Sequence, residues 1–323
     1  MLKVAAASAA GLFIPKGVKA ASAQHHYGWK PNRASLEAFI REHSNPFISQ
    51  VNEEIKGTGK GKIVLLWKAL ERATGRKFVP HDQGTGDCVS HGFGLGVDIL
   101  TAVQVILKRY PQRWPGFAAT EPIYGGSRVE IGGETRGGGS TGHWAAEWVS
   151  RYGILLRQKY PGGYDFTHYD SNLADKLGRE GCPDALEPTA KLHPVRTVAI
   201  CMSYSECIDC LANGMPVAVC SNVGFGEGQC TRDSEGFLTR KRFPWWHCML
   251  IGGFDDASSR PGALIFNSWG PDWVNGPTRH GQPEGTFWAD ADTIDSMLQQ
   301  GDSFALSAYL GYPALTIPPY VLY

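Results

Sequence analysis

The chain has 323 residues, 31 basic against 31 acidic side chains, and an apolar fraction of 42%. That length supports one large domain or two lobes with substantial cores. A formal charge of zero, with no basic stripe or acidic tail, gives no reason to expect a nucleic-acid or polyanion partner, and no apolar run is long enough for a mature membrane span.

The N-terminus departs from this pattern. Lys3 precedes a small-residue apolar run, Val4 to Ile14, and Ala21-Ser22-Ala23 fits a signal-peptidase site. Residues 1–23 are therefore expected to be a targeting segment, and the mature protein to be exported to a periplasmic, cell-surface or extracellular location. Residues 24–80 then form an N-terminal extension that could serve as a pro-segment.

Helical periodicity is expected over 34–55 and 61–74, with Gly57 to Gly61 as a flexible break. A glycine-punctuated turn, Gln83-Gly84-Thr85-Gly86-Asp87, runs into Cys88. Residues 88–110 predict a buried helix ending near Pro111. Gly92, Gly94 and Gly96 weaken that helix by about 1 kcal/mol each, a cost that implies close approach of other backbone. Residues 125–142 are glycine-rich, 143–152 predict a helix, and 161–195 read mostly as loop. Ser203-Tyr-Ser-Glu206 is a capping box opening a short helix that stops at Asn213-Gly214. Strands are expected at 216–220, 247–251 and 263–266. The first half is thus helical and the second sheet-rich, an α+β chain of two lobes with a cleft between them.

Of eight cysteines, Cys88 stands out, because it follows a tight turn at an expected helix start. A helix N-terminus favours a thiolate, the nucleophilic form. If Cys88 is reactive, an odd number remains, and disulfide connectivity among them is left open. Cys207-x-x-Cys210, with Cys201 nearby, has thiolate-ligand spacing. Structural zinc needs four ligands and no second pair follows, so neither a metal nor a cofactor is expected. His247 opens an apolar strand after Trp245-Trp246, a suitable place for a base pointing into a cleft. His91 is a rival base, but it lies one helical turn beyond Cys88 and ranks below His247. Asn267, in Phe266-Asn-Ser-Trp-Gly270, can accept a hydrogen bond from one imidazole nitrogen and fix the ring, and Trp269 can cover that bond.

These blocks together resemble the papain family of cysteine peptidases. His247-Cys-Met-Leu-Ile-Gly-Gly-Phe254 and Asn267-Ser-Trp-Gly-Pro-Asp-Trp273 are similar to the family's His and Asn motifs, and Gln83-Gly84-x-Gly86-x-Cys88 resembles its nucleophile motif. The likeness spans about residues 80–312. It implies a papain-like catalytic domain over 81–318, with a helical lobe at about 81–190 and a β-barrel-like lobe at about 191–318. It also implies a Cys88–His247–Asn267 triad acting on peptide or protein substrates. Gln83 and the Cys88 backbone N–H would form the oxyanion hole. Gly138 and Gly139 would pair with an extended peptide, and Trp246 and Trp269 would line the same substrate cleft.

Departures from the family pattern are also visible. Asp87 and Val89 flank the nucleophile, Gln83 is one residue closer to it than usual, and the preceding turn has no cysteine, so one disulfide typical of the family cannot form. Asp87 places a negative charge beside a thiolate. Two other outcomes fit the same residues: a catalytically weak or inactive scaffold that binds peptides or proteins, and a thiol amidase or transferase acting on a non-peptide substrate.

Overall fold

The computed structural model describes residues 25–51, 53–109, 111–191 and 195–318. The expected targeting segment at 1–23 lies outside them. Helix α1 (Arg33–Glu42) opens at Asn32, whose side chain accepts from the Ser35 N–H, and stops at His43, which is extended. Asn45-Pro46 follows, and a residue before proline disfavours the helical region. The helix expected over 34–55 is therefore short, and only a single 3-10 turn at Ile48–Gln50 follows it. The periodic stretch 61–74 also divides. Ile63–Leu65 forms strand β1, and only Trp67–Thr74 is helical (α2). β-Branched Ile63 and Val64 find a strand partner at Phe254–Asp255, and tertiary pairing overrides the helical period.

One large antiparallel sheet organises the second half. Its further strands are β2 (Thr197–Ile200), β3 (Val217–Ser221), β4 (His247–Asp255), β5 (Gly262–Phe266), β6 (Thr286–Asp290) and β7 (Phe304–Ser307). The order is β6-β5-β4-β3-β7-β2, and β1 pairs with β4 where β3 ends. This sheet is open, which corrects the expected barrel-like closure. Loops cover its edges instead: Leu238 N–H donates to Trp288 O beside β6, and Ile200 N–H donates to Pro46 O beside β2. Covered edges satisfy backbone groups that closure would otherwise have to satisfy.

Helix α3 (Cys88–Ile106) has the length and hydropathy of a membrane-spanning helix, yet it is buried from Cys88 through Gln104. It is the central core helix, packed between the sheet and the helical layer. That layer comprises α4 (Thr120–Gly126), α5 (Gly142–Arg151) and α6 (Ser171–Glu180). The stretch 161–195, read mostly as loop, contains a helix here. Asp170 caps α6 by accepting from the N–H groups of Asn172 and Leu173, and α6 buries Ala174 and Leu177. The glycine-rich stretch after residue 125 continues α4 into a π turn at Ser127–Ile131. The glycines there serve packing rather than flexibility. A Cβ on Gly126 would sit 2.2 Å from the Trp148 ring.

An alanine in a helix interior ordinarily gains about 1 kcal/mol over glycine. At Gly126 that gain is opposed by overpacking of about 1–3 kcal/mol. Gly126→Ala is expected to lower the denaturant midpoint at unchanged slope. A stabilised variant would show that Trp148 yields freely.

Candidate active site

The site lies where the first turn of α3 meets the first residues of β4. Gly92 permits that meeting: a Cβ there would stand 3.0 Å from Cys248 Sγ and 3.2 Å from Met249 O. The close approach lets the Cys248 backbone N–H donate to Cys88 Sγ at 3.3 Å. His247, the residue before Cys248, opens β4 and is fully buried. Asn267 follows β5, whose pairing with β4 carries it to the histidine. His247 Nε2 and Asn267 Oδ1 are 2.8 Å apart. An amide oxygen only accepts, so Nε2 carries the proton, and Nδ1, which has no partner, holds a lone pair. Trp269 covers this bond, tilted over the imidazole with ring centroids 4.6 Å apart.

Burial dominates the electrostatics. It pushes the Cys88 thiol well above its usual range, with the neighbouring Cys248 thiol adding to the rise. The N–H groups of Cys248 and Gly28 favour the thiolate and offset only part of this. Burial likewise drives His247 down to about 3, against the pull of its bond to Asn267. Thiol and imidazole are therefore both neutral in this conformation.

The cause of that burial is the chain's own N-terminal segment, which fills the cleft. Gly28 and Trp29 donate their N–H groups to Trp246 O at 3.2 and 3.0 Å. On the opposite wall Lys30 N–H donates to Ser140 O, and Ser140 N–H donates to Gly28 O. Tyr27 packs edge-on against His247, and Trp29 stacks on Trp246. Only glycine fits over the turn before Cys88, because a Cβ on Gly28 would lie 1.9 Å from Gly86 O. Further along, the Trp29 indole N–H donates to the buried Asp302 carboxylate at 2.7 Å. Asp302 also pairs with His143, which meets Ser35 of α1.

The expected substrate residues fall around this segment in altered roles. Trp246 is partly exposed and supplies its carbonyl and its ring face. Trp269 is buried, stacks on His25, and donates its indole N–H to His26 O. Gly138 and Gly139 line a cavity of about 580 Å³ beside Gly28–Pro31. The Gly139 backbone, however, is spent internally: its N–H donates to Tyr124 Oη, and its carbonyl accepts from Arg128. The resident segment pairs with Ser140, which the sequence did not single out. Gln83 is buried, accepts from Ser268 Oγ, and donates one amide hydrogen to Thr85 O. Its second amide hydrogen remains for another acceptor.

The turn before Cys88 has a clasp that sequence reading missed. Tyr169 Oη donates to Asp87 Oδ2 and accepts from Gly84 N–H, while Thr85 Oγ1 donates to Asp175. These bonds tie the turn to α6 and its leading loop. All eight cysteines are free thiols, so hydrogen bonds hold this turn.

No family sequence model matches the chain, and no curated protein matches it in sequence. Its structure is similar to that of xylellain, a cysteine protease from Xylella fastidiosa. The TM-score is 0.59 at 18% identity, covering 90% of this chain and 99% of xylellain. It is also similar to a proCathepsin B from Trypanosoma congolense, with a TM-score of 0.53 at 10% identity, covering 89% and 86% of the two chains. The fold is that of the papain-like cysteine proteases.

A histidine held near 3 takes up a proton when the cleft opens and the ring regains its ordinary value near 6.5. The His247 contribution to closure is therefore complete above about pH 6.5 and is lost as pH falls from there toward 3, while the raised Cys88 thiol works against closure only at alkaline pH. Amide-exchange protection of Gly28, Trp29 and Lys30, corrected for intrinsic rates, is expected to drop across that window. Constant protection from pH 7 to about 4 would show that His247 stays neutral on opening.

Proposed function

We propose that this chain is a cysteine peptidase that hydrolyses peptide bonds through Cys88, His247 and Asn267, and that the plugged cleft is its latent form. One observation carries the reading. The imidazole keeps an unpartnered Nδ1, has its Nε2–H fixed by Asn267 at 2.8 Å, and sits one residue before the Cys248 N–H that donates to the helix-terminal thiol. A peptide segment, paired by backbone hydrogen bonds to both walls, already occupies the cleft across that thiol.

Each step follows from those atoms. His247 Nδ1 takes the thiol proton, and the Cys88 sulfur attacks the carbonyl carbon of the scissile amide. The oxyanion that forms is met by the Cys88 backbone N–H and by the free amide hydrogen of Gln83. The imidazolium gives its proton to the departing amine nitrogen, leaving a thioester on Cys88. Water, deprotonated by His247, then attacks the thioester carbon and releases the acid and the thiol. Asn267 holds the ring in one tautomer throughout.

The resident segment escapes this chemistry through its direction. It runs parallel to the Ser140 backbone. Gly28 presents an N–H to the sulfur, a donor and not an electrophilic carbon. The extension at 24–80 accordingly divides in two. Residues 25–42 plug and brace the cleft, whereas 63–74 pair with β4 and pack on α3 and stay with the enzyme.

Gly28→Val forces a side chain into backbone and is expected to expel the plug, raising the rate at which iodoacetamide labels Cys88 by about tenfold or more. In this open variant a peptide library should be hydrolysed, and adding Cys88→Ala should abolish the hydrolysis. A Gly28→Val protein whose Cys88 labels rapidly but cleaves nothing would refute the peptidase reading.

A further inference from the structure

Next to Cys88 in sequence and contact lie two buried titratable side chains, Asp87 and His91, and a half-buried third, His81, that the Cys–His–Asn chemistry does not use. Asp87 is fully buried, and its Oδ2 accepts from Tyr169 while Oδ1 has no partner. A buried carboxylate needs a counter-charge, and this one adjoins the nucleophile, where it opposes thiolate formation. His91, one helical turn on and also buried, holds Nε2 3.3 Å from Asp87 Oδ2, within ion-pair range though not aligned as a hydrogen bond. His91 Nδ1 is 3.1 Å from His81 Nδ1, so one of these nitrogens donates and the other accepts. His81 is neutral, because burial, with His91 and Arg157 beside it, holds it well below the usual range.

We propose that Asp87 and His91 form a buried ion pair that positions and charge-balances the nucleophile, with His81 as the neutral acceptor that holds the second His91 proton. His91 then faces Asp87 with its Nε2–H at ion-pair distance and donates from Nδ1 to His81. The arrangement rests on Cys88 being the nucleophile. When the thiolate forms and His247 takes up its proton, two opposite pairs stand side by side, and the buried charges sum to zero. Without His91 the same step would leave two adjacent anions, Asp87 and Cys88, against a single cation.

The other groups around the pair fit this balance. Tyr169 donates to Asp87 and stands edge-on to His91. Arg157, which lies over the Tyr169 ring, is already neutralised by Glu121 at 2.9 Å. Across the site, His91 and His25 both discourage a proton on His247, which keeps that ring a free base until the thiol supplies its proton. The pair thus lets this chain place an aspartate immediately before its nucleophile.

The test uses the full chain carrying Gly28→Val, with iodoacetamide labelling of Cys88 followed across pH. His91→Gln removes the charge and keeps an amide donor. It is expected to raise the apparent thiol pKa by one unit or more, about tenfold slower labelling at neutral pH. Adding Asp87→Asn to it should restore labelling to within about threefold of the parent, the signature of coupled sites. An unmoved pH midpoint in His91→Gln, or no recovery in the double variant, overturns the proposal. Ring-nitrogen NMR of the unsubstituted chain provides a second reading should the variants not fold. Both His91 nitrogens should give protonated-imidazolium shifts near neutral pH, and a single-tautomer pattern would overturn the pair. Labelling reports the thiol alone, so absence of peptide hydrolysis would strike the peptidase reading and leave this result standing.

Discussion

The site depends on how closely α3 can approach β4. Cys88 belongs to the helix, whereas His247 belongs to the strand and Asn267 follows the next one. The helix–strand contact is made through Gly92, where the Cys248 sulfur and the Met249 carbonyl occupy the space a side chain would take. That approach aims a strand N–H at the Cys88 sulfur, and strand register does the rest. Leu250 opposite Phe266 carries Asn267 back to His247. The cost of three glycines in one helix, about 1 kcal/mol each, is offset by this junction and by the neighbouring contacts of Gly94 and Gly96 with Thr120 and Leu306.

A second constraint is dielectric. The segment from His25 to Lys30 does more than obstruct the cleft. By removing water it takes away the solvation that would support a thiolate and an imidazolium, so acid and base rest as neutral partners. Steric cover of Cys88 and the neutrality of its thiol and of His247 therefore arise from the same few residues. Any event that readmits water restores both access and ionisation together.

The parts of this arrangement legible in the sequence are those with local signatures. The strand opened by His247, the Asn-Ser-Trp turn and the glycine-spaced helix after Cys88 could each be read from period and residue chemistry. Their order placed the three polar groups in one cleft. The illegible parts depend on partners far away in the chain. Ile63–Leu65 reads as helix until β4 offers an edge, and the sheet stays open because loops near Pro46 and Leu238 cover its borders. Ser140 rather than Gly139 pairs with the resident segment, because Tyr124 and Arg128 claim the Gly139 backbone first. The fixing of Asp87 by Tyr169 joins residues 82 apart, a contact no local pattern announces.

The division of the N-terminal region between a plug and an edge strand has a consequence for affinity. While α1 is joined to β1, the plug meets its groove as a tethered ligand, at an effective concentration on the order of millimolar. A few backbone hydrogen bonds and one indole–carboxylate contact then suffice to keep it seated. A single cut in the exposed chain around Ser44–Asn45 removes that advantage without touching any contact in the cleft. The freed peptide becomes an ordinary dilute ligand, and dissociation follows from mass action alone.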